Sequence, residues 1–384
     1  MQIRRLDWIL LVAILLLVGM GLLSLWSYMP PTNLKNENLA ANHFMKQSVF
    51  LGISLIAMAL ILVPNYLHAR RLAYIPYALL LATLVALPFL VKATNGARGW
   101  IPIGPLKFQP AEVMKIAVVL ALGRWLSLAR DLHAWRSLAA PFALAGIPAV
   151  IIFIQPDLGN AMLFFPVVMV MLYTAGARPK HLAILLVATV VFVPIAYRFG
   201  MKEYQRERLT SFLVADRTSY QQMQSIKASA AGGLAGRGQA EDGVQFYVPE
   251  RHTDFIYSIV AERYGFAGST LLLLLLGVIF WRCAKIAERT TEPFGRLLVV
   301  GLATFLAMQV FINVGMNIGV APITGLTLPF VSYGGSSLLT CFITAGLILN
   351  VAMRWVPTFS SRDLDKGHRE IREFVPQKEK WLVH

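Results

Sequence analysis

A chain of 384 residues that is 57% hydrophobic and 14% charged, with a mean hydropathy of +0.61, departs from soluble domains, whose charged fraction is about 25%. Apolar runs of roughly 17–25 residues recur along it, the length that crosses hydrocarbon as helix, so the expected fold is an all-α polytopic membrane protein. A net charge of +15 would suggest nucleic acid in a soluble chain. Here the cations fall mainly in short loops and the tail, where the positive-inside rule accounts for them, and no nucleic-acid partner is expected.

The first run, Trp8 to Trp26, follows Arg4 and Arg5, lacks a small-residue cleavage site and is long for a signal sequence. It reads as an uncleaved span. Hydropathy then gives about ten spans, at roughly 8–28, 47–63, 72–91, 111–128, 138–154, 160–176, 181–199, 255–281, 296–319 and 336–355. Arg4/Arg5, Arg70/Arg71, Arg124/Arg130/Arg136, Arg178/Lys180, Arg282/Lys285/Arg289/Arg296 and the cations after Trp355 all fall on one side. That side is expected to be cytoplasmic, with both termini inside. Residues 1–355 read as one transmembrane domain and 356–384 as a polar cytoplasmic tail. Cys283 and Cys341 lie in or beside spans and suggest neither a disulfide framework nor a metal site. No internal repeat stands out to suggest the paired halves of many transporters.

The opposite, extracytoplasmic face collects the polar, motif-like sequence: short loops at roughly 29–46, 92–110, 155–159 and 320–335, and a long one at roughly 200–253 between helices 7 and 8. Chemistry is expected there. In the block Gly96–Lys115, Gln109-Pro110-Ala111-Glu112 reads as a helix start, with Pro at N1 and Glu112 closing a capping box. Lys115 shares a helical face with Glu112. Such a buried pair is either structural or presents its cation to an anionic ligand in a cavity. Gln155–Ala161 makes a tight turn in which Asp157 reads first as a helix cap and second as a cavity group.

Within the long loop, Tyr204-Gln205-Arg206-Glu207-Arg208 is either an interfacial helix or a phosphate contact. The glycines of Gly232–Gly238 suit close approach to phosphate or a flexible lid. The block Gly319–Ser337 breaks helix at membrane depth and is expected to shape a cavity. The densest cluster is Pro249-Glu250-Arg251-His252-Thr253-Asp254, just before a span. Asp254 there is either a helix N-cap or a catalytic carboxylate, since ionised groups beside hydrocarbon are costly and mark function.

Together these blocks resemble the SEDS family of bacterial cell-wall proteins, over essentially residues 1–355. Arg251 in the Pro249–Asp254 motif is similar to the RodA branch, since the division paralogue FtsW usually has Ala there. The resemblance implies a ten-span fold in the bacterial inner membrane and a peptidoglycan glycosyltransferase that polymerises lipid II during elongation. It also implies a class B penicillin-binding protein and other elongation-complex membrane proteins as partners. The family's essential loop aspartate falls on Asp254, and its paired Glu and Lys on Glu112 and Lys115. Two departures stand out. Gly99 holds the place before Trp100 where relatives often have Arg, with Arg98 one residue earlier, and Glu262-Arg263 replaces a frequent Glu-Glu pair.

On this reading Asp254 is the general base of a single inverting displacement, and undecaprenyl pyrophosphate leaves as its charge is neutralised. Arg98, Lys115, Arg206, Arg208 and Arg251, or a divalent cation (Mg or Mn) held through Asp254, would supply that charge. Gln109, Glu112, Asp157, Glu250, His252 and Thr253 would support the site. Two other functions fit the same residues: a lipid II flippase, and a non-catalytic scaffold for the crosslinking partner.

Overall fold

The computed structural model describes residues 5–26, 39–91, 99–103, 106–129, 131–199, 206, 210, 220–238 and 251–354. Its elements are α1 Trp8–Trp26, α2 Leu39–Leu62, α3 Tyr66–Leu72, α4 Tyr74–Leu90, a small antiparallel hairpin of β1 Ile101–Ile103 and β2 Leu106–Phe108, and α5 Pro110–Leu128. There follow α6 Arg136–Ile154, α7 Leu158–Met162, α8 Phe164–Thr174, α9 Pro179–Phe199, α10 Tyr220–Ala231, α11 Ile256–Arg289, α12 Pro293–Asn317 and α13 Gly335–Arg354. Nine of the ten expected spans each fall on one long helix, and the one expected at 160–176 is divided between α7 and α8. Among the described residues six helices are long and apolar enough to cross a membrane, or seven if α3 and α4, bent by 57°, form one span. The protein is a multi-pass membrane protein.

The helices sort by how much of their surface is apolar. α5, α12 and α13 are buried on most sides and form the centre, with α12 between α5 and α11, and α13 along α2. α1, α2 and α9 instead expose broad apolar faces, such as Leu15, Leu16 and Leu23, Ile53, Ile56 and Leu60, and Ile184, Val187 and Val191. Surfaces of that kind suit acyl chains as solvent. α2 starts about eight residues before the hydropathy boundary, because His43 and Gln47 on its polar first turns are packed inward.

α11 has a break that the sequence expectation did not include. Gly265 takes φ 63° and ψ −158°, which interrupts the helical ladder. The Gly232–Gly238 run packs against this break. Arg237 N donates to Glu262 O (2.9 Å) and Gly238 N to Arg263 O (3.1 Å), while Phe266 N donates to Gly233 O (2.8 Å) and Ala267 N to Leu234 O (3.2 Å). Gly236, at φ 86°, lies so close that a Cβ would collide with the Arg263 carbonyl. These glycines are therefore a backbone splint that satisfies the broken helix, rather than a phosphate cradle or a lid.

Candidate active site

Three segments converge on the start of α11: the turn Arg251–Phe255, the 318–334 connection after α12, and the first turns of α2. The N-cap of α11 is Phe255, one residue beyond the aspartate, and it makes no side-chain cap bond. The backbone of Asp254 is held by α12. Its carbonyl accepts from Asn313 Nδ2 (2.8 Å) and Asn317 Nδ2 (3.1 Å), both on α12. Asn313 Nδ2 also donates to Leu326 O (2.6 Å), and Ser258 N donates to Asn317 Oδ1 (3.2 Å). One pair of buried amides thus ties α11, α12 and the 318–334 connection to the residue before the helix. The Asp254 carboxyl group is half-buried and lies beside Gly325, where a Cβ would sit 3.7 Å from Oδ2.

The rest of the turn is held as firmly. Ser332 Oγ donates to Thr253 O (2.6 Å), Leu328 N donates to Ser332 Oγ (2.7 Å), and Tyr333 N donates to His252 O (3.0 Å). The His252 ring stacks on His43 at 4.4 Å, with Tyr333 beside both. Burial pushes the His252 imidazole below its ordinary value. Gln47 clamps the far side, donating to Ser332 O (3.1 Å) and accepting from Gly334 N (3.1 Å). Phe330 adopts φ 66°, a strained conformation for a bulky residue, within this same connection. Arg251 is buried and ion-paired to Glu262 one turn into α11, so it braces the turn from behind.

A second buried network lies under the same connection. Lys115 Nζ donates to Glu112 Oε1 (2.9 Å), Asn160 Oδ1 (3.2 Å) and Gln309 Oε1 (3.4 Å). Three acceptors use the three donors of an ammonium group. The expected capping box is not formed: Gln109 is the N-cap and Pro110 occupies N1, but the Glu112 carboxylate turns to Lys115. Gln109 Nε2 instead donates to Asp157 Oδ2 (2.9 Å). Asp157 caps α7 through Asn160 N (3.0 Å) and also accepts from Asn160 Nδ2 (2.8 Å). Burial raises its carboxyl above the ordinary carboxylate range. Gln309 Nε2 reaches Thr327 O (3.0 Å), and Thr327 Oγ1 meets Ser337 Oγ (2.7 Å), which brings the network to the connection that borders Asp254.

Arg206 Nη2 donates to Arg198 O (2.8 Å) at the end of α9. Arg98, Arg208 and Glu250 lie outside the described residues. Sequence reasoning missed His43, Gln47, Asn160, Gln309, Asn313 and Asn317. A signal for three of them was present: Gln309, Asn313 and Asn317 recur every four residues inside an apolar span, which puts amides on one helix face.

The FtsW/RodA/SpoVE family, described as cell cycle proteins, matches residues 7–355. This chain belongs to that family. Among curated relatives, stage V sporulation protein E of Bacillus subtilis is 34% identical over 90% of this chain and 96% of its own length. A probable peptidoglycan glycosyltransferase FtsW of Thioalkalivibrio is 36% identical over 90% and 89%, and the Escherichia coli peptidoglycan glycosyltransferase MrdB is 32% identical over 78% and 84%. A chain from a solved peptidoglycan synthase complex that coordinates polymerization and crosslinking superposes with a TM-score of 0.78. It is 33% identical over 90% of this chain and 97% of that one. The rod-shape-determining protein RodA of Thermus thermophilus superposes at 0.69, at 30% identity over 92% and 98%. Relatives named for all three branches fall within 30–36% identity, so the branch reading rests on Arg251.

Proposed function

We propose that this chain is a peptidoglycan glycosyltransferase that polymerises lipid II in the bacterial inner membrane, on the extracytoplasmic face, during cell elongation and rod-shape maintenance. Its family membership supports the reaction class. The observation that carries the site is the grip of Asn313 and Asn317 on the Asp254 carbonyl, which anchors the backbone that bears this carboxylate at the mouth of a lipid-embedded bundle. Such a group suits a general base held by rigid elements.

In the proposed step the hydroxyl of the acceptor sugar attacks the anomeric carbon of the donor. The new C–O bond forms as the bond to the lipid pyrophosphate breaks, and Asp254 takes the hydroxyl proton. A single displacement inverts the α donor to a β product. The leaving group needs positive charge rather than an acid. Lys115 and Arg251 are already committed to buried partners, so their proposed role is positioning: Lys115 through Gln309 and Thr327, Arg251 through Glu262. Neutralisation is assigned to Arg206, Arg208 and Arg98.

Among the described residues no three His, Cys, Asp or Glu side chains gather to hold a metal. The residues do fit an Mg2+ or Mn2+ ion bound by one carboxylate, Asp254, together with substrate phosphates. Such an ion would supply further charge to the leaving pyrophosphate. A class B penicillin-binding protein is the proposed partner, crosslinking the strands as they form, alongside other membrane proteins of the elongation complex. The test is lipid II polymerisation by purified protein with that partner, whose own active serine is blocked. Glycan ladders on a gel are expected. A folded complex that makes none, yet moves lipid II across vesicles, would replace the enzyme with a transporter. One that does neither would leave the scaffold reading.

A further inference from the structure

At the far end of α11 lies a cleft that the glycosyl-transfer reading does not use. From its break at Gly265 to Arg282 the helix advances about 25 Å at a rise of about 1.5 Å per residue. There a cleft of about 170 Å3 is lined by Arg5, Asp7, Arg282, Lys285, Arg289 and Ala352, among others. Its cations come from two segments 275 residues apart in sequence, the approach to α1 and the last turns of α11. Arg282 forks onto Asp7, with Nε 3.1 Å and 3.0 Å from the two carboxylate oxygens and Nη2 2.6 Å from Oδ2. That pair joins the two segments and uses the one acid in the lining. Lys285 pairs with Glu288 at 2.8 Å. Among the described residues Arg5 and Arg289 form no ion pair, and both border the cleft.

The positive-inside rule explains cations at a membrane face but not their convergence on a concavity braced by a bidentate pair. The depth is also informative. Trp8 and Trp281 are 55% and 53% exposed at this end of the packed α1–α11 pair, and the Arg282 guanidinium lies 5.2 Å over the Trp281 ring. Exposed Trp residues of this kind sit at headgroup level. Planar guanidinium forks match phosphate oxygens, and basic pockets between spans at this depth suit anionic headgroups.

We propose that this cleft binds a phosphate group, presented by an anionic phospholipid at the membrane interface. Full-length protein, stripped of lipid in a non-ionic detergent, would be followed by native mass spectrometry with phosphatidylglycerol and with phosphatidylcholine. The comparison is wild type against Arg5→Gln/Arg289→Gln, which keeps the Asp7–Arg282 brace, with thermal unfolding confirming that the variant is folded. Wild type should hold phosphatidylglycerol in preference to phosphatidylcholine. The double variant should hold it roughly 30-fold more weakly, at about fivefold per basic residue. Displacement by millimolar inorganic phosphate would keep the phosphate site and move its source to a soluble anion. Equal retention by wild type and variant, or no preference between the two lipids, would overturn the proposal. So would failure of the full-length chain to bind any of the three, leaving the acid-bearing tail beyond Trp355 as the group that fills the cleft.

Discussion

Replacing Lys115 by Met keeps the length of its stem and removes its charge. The Lys115 and Glu112 side chains are 4% and 6% exposed, so the variant strands a carboxylate where water cannot reach it. Breaking a buried pair from one side costs about 3–5 kcal/mol. At roughly 2 °C per kcal/mol for a chain of this size, the melting temperature in detergent should fall by about 6–10 °C. The double variant Glu112→Gln/Lys115→Met removes the stranded charge and should recover most of that loss. The remaining deficit should be about 1–2 kcal/mol, from the hydrogen bonds to Asn160 and Gln309. Differential scanning fluorimetry of wild type, Lys115→Met, Glu112→Gln and the double variant closes the cycle. A single variant within 1 °C of wild type, or a double variant no more stable than the single, would refute the view that Lys115 is a locked structural cation.

Other consequences are as direct. Asn313→Ala removes the amide that serves both Asp254 O and Leu326 O, and should cost about 2–4 kcal/mol with a fall in turnover larger than the change in lipid II affinity. A stable variant with unchanged turnover would mean that the amide does not position the carboxylate. Because burial holds His252 below its ordinary value of 6.5, the turn in which it is packed has its full stability above about pH 6.5. That stability falls as acid protonates the imidazole. Exchange protection of the Tyr333 N–H, corrected for intrinsic rate, should therefore drop from pH 7 to pH 5, and the drop should vanish in His252→Gln. Gly236→Ala forces a Cβ into a left-handed conformation costing about 1–2 kcal/mol and into the Arg263 carbonyl. Limited proteolysis should then open the 232–238 segment; an unchanged digestion pattern would count against the splint.

The spans were legible because an apolar run of membrane length has one stable form in lipid. Their polar ends were not. His43 read as loop by hydropathy and Gln47 as the first residue of the span, yet both lie inside the early turns of α2, where the His252 turn and the Ser332–Gly334 backbone supply their partners. The cost of a carboxylate beside hydrocarbon singled out Asp254 but left a helix cap equally open, and the family resemblance supplied the catalytic reading. Its backbone holders on α12 are some 60 residues away in sequence, and only tertiary structure brings them there. The local pattern at Gln109–Glu112 pointed to a capping box, and two competitors won: Lys115, one turn along the same helix, offered Glu112 a charge, and the distant Asp157 offered Gln109 an acceptor. The Gly232–Gly238 run misled in the same way, since glycine permits close approach without saying what approaches.

If Asp254 is the general base, it moves a proton in the chemical step rather than holding the substrate. Asp254→Asn should be compared with wild type in a single-turnover assay with saturating labelled lipid II, alongside its binding to each protein. That role predicts that Asp254→Asn should show nearly unchanged binding and melting temperature, with at least a 100-fold loss of bond formation, the lower range for removing a general base. A variant that turns over at the wild-type rate, or that loses rate only because it no longer binds lipid II, would contradict it.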